Sequence, residues 1–281
     1  MSSPASFQAT LNSREQSANS LLCVGLDPVL EKMPEGIEAT PEGVVAFCTE
    51  IIRATQDLVS SYKPNLPFYL SLGSEGLTVL RKVREAIPAD IPMVLDCKVN
   101  DLGDTAEAWA RMAFDYLEAD AVVVAPYMGE DALAPYFNRP GKGVIVLTKT
   151  SNPGSGDLQD AVMADSRPLY MHVAERSQHW NGEYPADIGM VVGATYPDQL
   201  ATIRKACPDL PILLPGLGAQ GGDVEGSVRS GADSNGGSLM CSSSRGILFA
   251  SNGTDFAEAA RKEAMKLRDA INEHRVQSVS A

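Results

Sequence analysis

The stretch PMVLDCKVNDLGDTAEAWARMAFDYLEADAVVVAPY, residues 92–127, decides how the chain is to be read. It opens on the apolar run Met93, Val94 and Leu95 and closes on a second run, AVVVAPY (121–127). Between them DTAEAWARMAFDYLE (104–118) places its apolar side chains three and four residues apart. Continuous apolar runs are what strands covered on both faces require, and the intervening spacing is that of a helix with one buried face. The stretch therefore reads strand, helix, strand. Charge interrupts it at one point: Asp96 and Lys98, two apart, share a strand face, while Asp101 falls in the turn beyond. Taken alone, the pair is most simply an ion pair at a strand end, worth about 0–1 kcal/mol when exposed. Asp104 is placed to cap a helix beginning near Thr105.

The same alternation runs through the chain. Further short apolar runs are LLCVGLD (21–27), SYKPNLPFYL (61–70), GVIVLTKT (143–150), IGMVVGAT (188–195), PILLPGLG (211–218) and GSLMCSSS (237–244), making eight candidate strands. PEGVVAFCTEIIRATQDLVSS and EGLTVLRKVREAI are amphipathic helices between them. No linker or composition break divides the sequence. The expected fold is α/β, a single (β/α)8 TIM barrel over residues 1–281, with polar, mobile extensions at about 1–18 and 275–281. The runner-up, a doubly wound sheet, lacks a G-x-G-x-x-G after its first strand.

A net charge of −13 over 281 residues argues against general affinity for nucleic acid or an anionic membrane, both of which need many cations. It leaves room for one small anion held by a few backbone amides and an arginine. The five cysteines are scattered and form no C-x-x-C, and the three histidines show no metal-like spacing, so reduced thiols and no metal site are expected. The start of the chain lacks a secretory pattern and no apolar run is long enough to span a bilayer, which predicts a cytoplasmic protein.

In a barrel the chemistry lies at the C-terminal ends of the strands. Polar residues concentrate there: Asp27 after the first strand, Asp96 and Lys98 after the third, Thr150 and Ser151 after the fifth, Gln220 after the seventh, Ser244 and Arg245 after the eighth. Lys63 is the exception, entering near the start of a long apolar run. CSSSRGILFA (241–250) and the glycine-dense GLGAQGGD (216–223) suit a phosphate bound on backbone amides and Arg245.

Seven segments in order, LLCVGLDP, YKPNLPFYLSLGSEGL, LDCKVNDLGDTA, TSNPGSGDLQD, VVGATYPDQL, LLPGLGAQGGD and SSSRGILFAS, resemble the orotidine 5′-phosphate decarboxylase family in its longer bacterial branch. D-x-K-x-x-D alone is shared with other phosphate-binding barrels; the ordered set is specific. The resemblance implies cofactor-free decarboxylation of orotidine 5′-phosphate to uridine 5′-phosphate, with no metal. It makes Lys63, Asp96, Lys98 and Asp101 an alternating charged network in a homodimer, Asp101 and Thr105 reaching the partner's site. Asp27 and Lys63 would hold the ribose hydroxyls, Ser151 would face the pyrimidine, and Gln220 and Arg245 the phosphate, with Leu217 to Asp223 as a lid. The chain departs from the branch at Val99 and Asn100, where Arg-Gly is usual, at Leu102, where Ile is usual, and at Pro67 and Ser71.

On that reading the electron pair left at C6 lies in the ring plane, beyond reach of the π system, so its stabilisation must be electrostatic. Lys98 would stabilise the carbanion and then protonate it, and Asp96 would repel the departing carboxylate. Two other readings stay open at this level. One is a metal-dependent aldolase or sugar-phosphate decarboxylase on the same barrel, and the other a non-catalytic nucleotide sensor.

Overall fold

Each apolar run contributes a strand, covered by helices outside and by the side chains of the other strands inside. The computed structural model describes residues 5–217 and 223–275. Its elements are α1 (Phe7–Ser17), β1 (Leu22–Leu26), α2 (Pro41–Thr55), β2 (Ser61–Pro64), α3 (Leu66–Leu70), α4 (Gly76–Ala86), β3 (Val94–Val99), α5 (Gly103–Arg111), β4 (Ala121–Val124) and α6 (Glu130–Phe137). There follow β5 (Gly143–Lys149), α7 (Gly156–Gln159), α8 (Leu169–Glu183), β6 (Asp187–Val192), α9 (Pro197–Ala206), β7 (Ile212–Pro215), α10 (Val224–Gly231), β8 (Leu239–Ser243), α11 (Arg245–Leu248) and α12 (Phe256–His274). All pairs are parallel, in the order β2-β1-β8-β7-β6-β5-β4-β3. The two ends of the sheet meet through single bridges, Tyr62 with Met93 and Asn65 with Asp96, and Tyr62 N donates to Pro92 O at 3.0 Å. The result is the expected (β/α)8 barrel.

Two apolar layers hold it. The larger lies between strands and helices, and a smaller one fills the barrel itself, where Val94, Val123, Ile145, Val191, Leu213 and Met240 interdigitate. Phe7 and Leu11 of α1 belong to this inner layer. They seal the barrel at the N-terminal ends of its strands: Gly143 opens β5, and a Cβ there would stand 2.5 Å from the Phe7 ring. Residues 7–17, expected to belong to a mobile extension, are thus an ordered helix. Its buried positions, Phe7, Leu11 and Glu15, form a stripe one residue wide, too narrow to register as amphipathic. Glu15 accepts hydrogen bonds from Ser238 N at 3.0 Å and Leu239 N at 3.2 Å, and so ties the helix to the start of β8.

If Phe7 seals the barrel, Phe7→Ala should lower the free energy of unfolding by about 3–5 kcal/mol in a urea titration. A loss below about 1 kcal/mol would mean that α1 does not close the core.

Candidate active site

The mouth collects its charge from β2 and β3. Pro67 sits in the first turn of α3, where its fixed φ suits a helix start, so the run 61–70 divides into a short strand and a helix. Lys63 therefore stands at the C-terminal end of its strand, as the other polar residues do, and not near the start of a long one.

β3 reaches the mouth irregularly. Asp96 pairs with Val123, but the next pair is Val99 with Val124, so Cys97 and Lys98 bulge from the ladder. Lys98 takes a φ of +50°. A left-handed conformation costs a non-glycine residue of order 1–3 kcal/mol and persists where its surroundings enforce it. Asp96 and Lys98 thus meet across a bulge and not along a regular strand face. Asn100 fastens the end of the bulge, its Nδ2 donating to Ala125 O at 2.5 Å. Asp104 lies within the first turn of α5; Leu102 occupies the cap position.

One carboxylate serves two ammoniums. Asp96 Oδ1 accepts from Lys98 Nζ at 2.5 Å and Oδ2 accepts from Lys63 Nζ at 3.0 Å. Asp96 and Lys63 are buried, whereas the Lys98 side chain is 47% exposed. Burial alone would raise the Asp96 pKa, but Lys63 and then Lys98 hold it below the ordinary carboxylate range. Burial alone would lower the Lys63 pKa, and Asp96 and then Asp27 raise it above the usual lysine value.

Lys63, Asp96 and Lys98 line a cavity of about 340 Å³ together with Thr150, Ser151 and Asn152. Lys63 also borders an adjoining cavity of about 290 Å³, lined by Asp27, Asn65, Ser244 and Arg245. Asp27 Oδ1 accepts from Asn65 N at 3.2 Å. Gly25 allows strand β1 to pass under this cavity, since a Cβ there would lie 2.7 Å from Ser244 Cβ. One end of the combined space carries the lysine–aspartate group and the other an arginine. A larger cavity, about 570 Å³, lies off the mouth between Tyr127, Leu158 and α8. Its charged members, Glu130 and Arg176, are bonded to each other at 2.6 Å.

Lys63, Asp96, Lys98, Asp27, Ser151 and Arg245 are therefore brought together within one chain. Asp101 and Thr105 line neither mouth cavity; Asp101 accepts from Leu102 N at 2.9 Å, and Thr105 is exposed. Gln220, with most of the expected lid at 217–223, lies outside the described residues. Asn65, which bridges Asp96 and bonds Asp27, was not singled out from sequence; the strand-breaking N-L-P that follows β2 is the signal that marks it. Gln159, whose amide brackets Thr150, carries no such signal. Among the described residues no group of three or more His, Cys, Asp or Glu is placed to hold a metal ion, and no helix is long and apolar enough to cross a membrane.

Parallel strands that deliver alternating charge to one mouth, beside a serine-rich turn bearing an arginine, are the arrangement of a (β/α)8 enzyme whose mouth suits an anionic ligand. The sequence matches the Orotidine 5′-phosphate decarboxylase / HUMPS family over residues 20–261. It is 47% identical over 267 residues to the orotidine 5′-phosphate decarboxylase of Thermomicrobium roseum, covering 95% of each chain. The structure superposes on Leishmania donovani OMP decarboxylase with a TM-score of 0.82 and 40% identity, covering 95% of this chain and 99% of that one. It also superposes on Leishmania donovani UMP synthase with a TM-score of 0.83 and 41% identity, spanning 57% of that longer chain and 96% of this one. The chain belongs to the orotidine 5′-phosphate decarboxylase family. Its chemistry is that of a carboxy-lyase of pyrimidine biosynthesis, converting orotidine 5′-phosphate to uridine 5′-phosphate.

Removing the shared carboxylate isolates a buried ammonium, so Asp96→Asn should destabilise the protein by about 3 kcal/mol near neutral pH. Because the folded Asp96 pKa is depressed, its contribution is present above the unfolded value of about 4 and lost as pH falls through the folded value. Thermal unfolding followed from pH 6 down to about pH 2 should therefore show a shallower decline in the variant than in the unmutated protein; parallel curves would count against the coupling.

Proposed function

We propose that decarboxylation proceeds without a cofactor, by electrostatic stabilisation of a C6 carbanion that Lys98 then protonates. The observation that carries this reading is the single carboxylate of Asp96 held between the ammoniums of Lys63 and Lys98. Such a group is preorganised: its charges stand in place before substrate arrives and need no reorientation as negative charge develops at C6. Lys98 is the half-exposed member, and so the one a ligand entering the cavity can reach. Asp96 faces the same cavity, and its charge disfavours a carboxylate beside it and favours its departure as CO₂.

The two cavities give the nucleotide a direction. The pyrimidine lies against Ser151 in the chamber of Lys98, and the ribose hydroxyls meet Lys63 and Asp27 where the chambers join. The phosphate lies at Arg245, with Gln220 as a further donor. Phosphate binding there offsets the cost of bringing a carboxylate up to Asp96, so interactions remote from C6 act on turnover as well as affinity.

The working unit is a homodimer in the cytoplasm, each protomer lending Asp101 and Thr105 to its partner's site. In support, neither residue lines the mouth cavities of its own chain, and Leu102, Tyr127 and Met128 expose apolar side chains on the adjacent loops after β3 and β4. All five cysteines are free, as a reducing compartment keeps them.

Protein treated with EDTA should deplete orotidine 5′-phosphate absorbance at the untreated rate, while Lys98→Ala loses about a thousandfold or more in turnover and still binds uridine 5′-phosphate. Turnover retained by Lys98→Ala would refute its role, and activity that requires added Mg²⁺ would favour the metal-dependent sugar-phosphate chemistry. Arg245→Ala should raise KM by roughly tenfold or more through loss of a charge-assisted contact. Lys98→Ala and Asp101→Ala, each inactive alone, should recover roughly a quarter of the sites when mixed and reassorted, since one site of each mixed dimer is intact. No recovery would mean that the sites are not shared.

A further inference from the structure

The segment between β5 and α8 interrupts the regular barrel, and its tie to the mouth is a cation buried without access to water. Lys149, the last residue of β5, is fully buried. Its Nζ donates to Asp160 Oδ1 at 2.7 Å and lies 4.7 Å from the ring centroid of Tyr196 and 5.7 Å from that of Tyr170. β5 carries one extra residue against β6 just before it, between the Leu147–Val191 and Lys149–Val192 pairs. The backbone thus leaves the ladder at the point where the ammonium is gripped.

The two residues that follow are held from the same segment and from the loop after β6. Thr150 N donates to Gln159 Oε1 at 2.9 Å, and Gln159 Nε2 donates to Thr150 Oγ1 at 2.9 Å. Thr150 Oγ1 donates in turn to Asn152 Oδ1 at 2.7 Å. Ser151 is backed by Gly193, where a Cβ would stand 2.8 Å from its Cα, and its carbonyl accepts from Thr195 Oγ1 at 3.4 Å. Gln159 and Asp160 are adjacent, so one short helix end grips both Lys149 and Thr150.

Apolar packing does not explain the position of this helix end. Leu158, Gln159 and Tyr170 line the cavity of about 570 Å³, so the segment stands over a hollow. An ion pair whose ammonium is enclosed while its carboxylate, on Asp160, stays 48% exposed is seldom a better source of stability than apolar residues of equal volume. What it supplies is one defined geometry, and here that geometry is delivered to Ser151, which shares a cavity with Lys98.

We propose that Lys149 is a positioning residue for the pyrimidine end of the site: through Asp160, and with Gln159, it sets where Ser151 stands relative to Lys98. The excursion at 152–168 is then a brace for base recognition. This rests on the assignment of the Lys98 chamber to the base and of Arg245 to the phosphate.

The test compares two ligands by calorimetry, uridine 5′-phosphate, which reaches both chambers, and ribose 5-phosphate, which lacks the base. Lys149→Met should weaken uridine 5′-phosphate by about tenfold and ribose 5-phosphate by less than about twofold, and Lys149→Arg should restore part of the loss. Asp160→Asn and Gln159→Leu, which alter the outer ends of the same ties, should show the same selectivity and carry the test if Lys149→Met does not fold. Folded variants that bind uridine 5′-phosphate normally, or that lose both ligands equally, would overturn the proposal. Failure of the underlying assignment has a different signature: the unmutated protein itself would show no preference for uridine 5′-phosphate, and both readings would fall.

Discussion

The carboxylate of Asp96, shared between Lys63 and Lys98, is the constraint around which the mouth is arranged. It joins β2 to β3, the seam where the sheet closes through the single bridges Tyr62–Met93 and Asn65–Asp96. One ion pair therefore fastens the barrel at its thinnest join and supplies the charge of the site. The same requirement accounts for the left-handed Lys98 and the bulge that carries it. Lys63 and Asp96 are tolerated out of water because each has an opposite neighbour, while Lys98 stays half exposed. The chain carries −13 overall, yet Lys63, Lys98 and Arg245 give this one mouth the local cations that an anionic ligand requires.

Much of the architecture was legible in the sequence because parallel strands are buried on both faces and read as unbroken apolar runs. The run at 61–70 was the instructive exception. Its apolar character continues through strand and helix alike, and only Pro67 marks the change. α1 escaped notice for the opposite reason: two apolar side chains and a carboxylate make a stripe too sparse to stand out. At the site, Asp27, Asp96, Lys98, Ser151 and Arg245 were visible as polar residues closing apolar runs. The bulge was not, since a positive φ at a lysine leaves no mark in the residue order. Asp101 and Thr105 act, on the proposed reading, across a subunit boundary that no single chain displays.

Lys149 and Asp160 illustrate a different limit. A lysine at the end of GVIVLTK looks like a strand-end charge of the same kind as Lys98. Only the fold distinguishes them: Lys98 is half exposed beside a cavity, whereas Lys149 is enclosed by two aromatic rings and a carboxylate eleven residues on. The same ammonium near the end of a strand thus divides, on the proposed readings, into a group that faces ligand and a group that fixes backbone.

The sealed floor beneath the inner apolar layer makes the chamber a blind alley. With Phe7 and Leu11 filling the far end, gas and nucleotide would, on the proposed reading, share the doorway at the mouth, and CO₂ formed beside Asp96 would leave past whatever still occupies it. On that reading traffic through the mouth, and not the capacity of the barrel behind it, would govern whether the gas departs or is recaptured by the carbanion, and so how much of the forward reaction is kept.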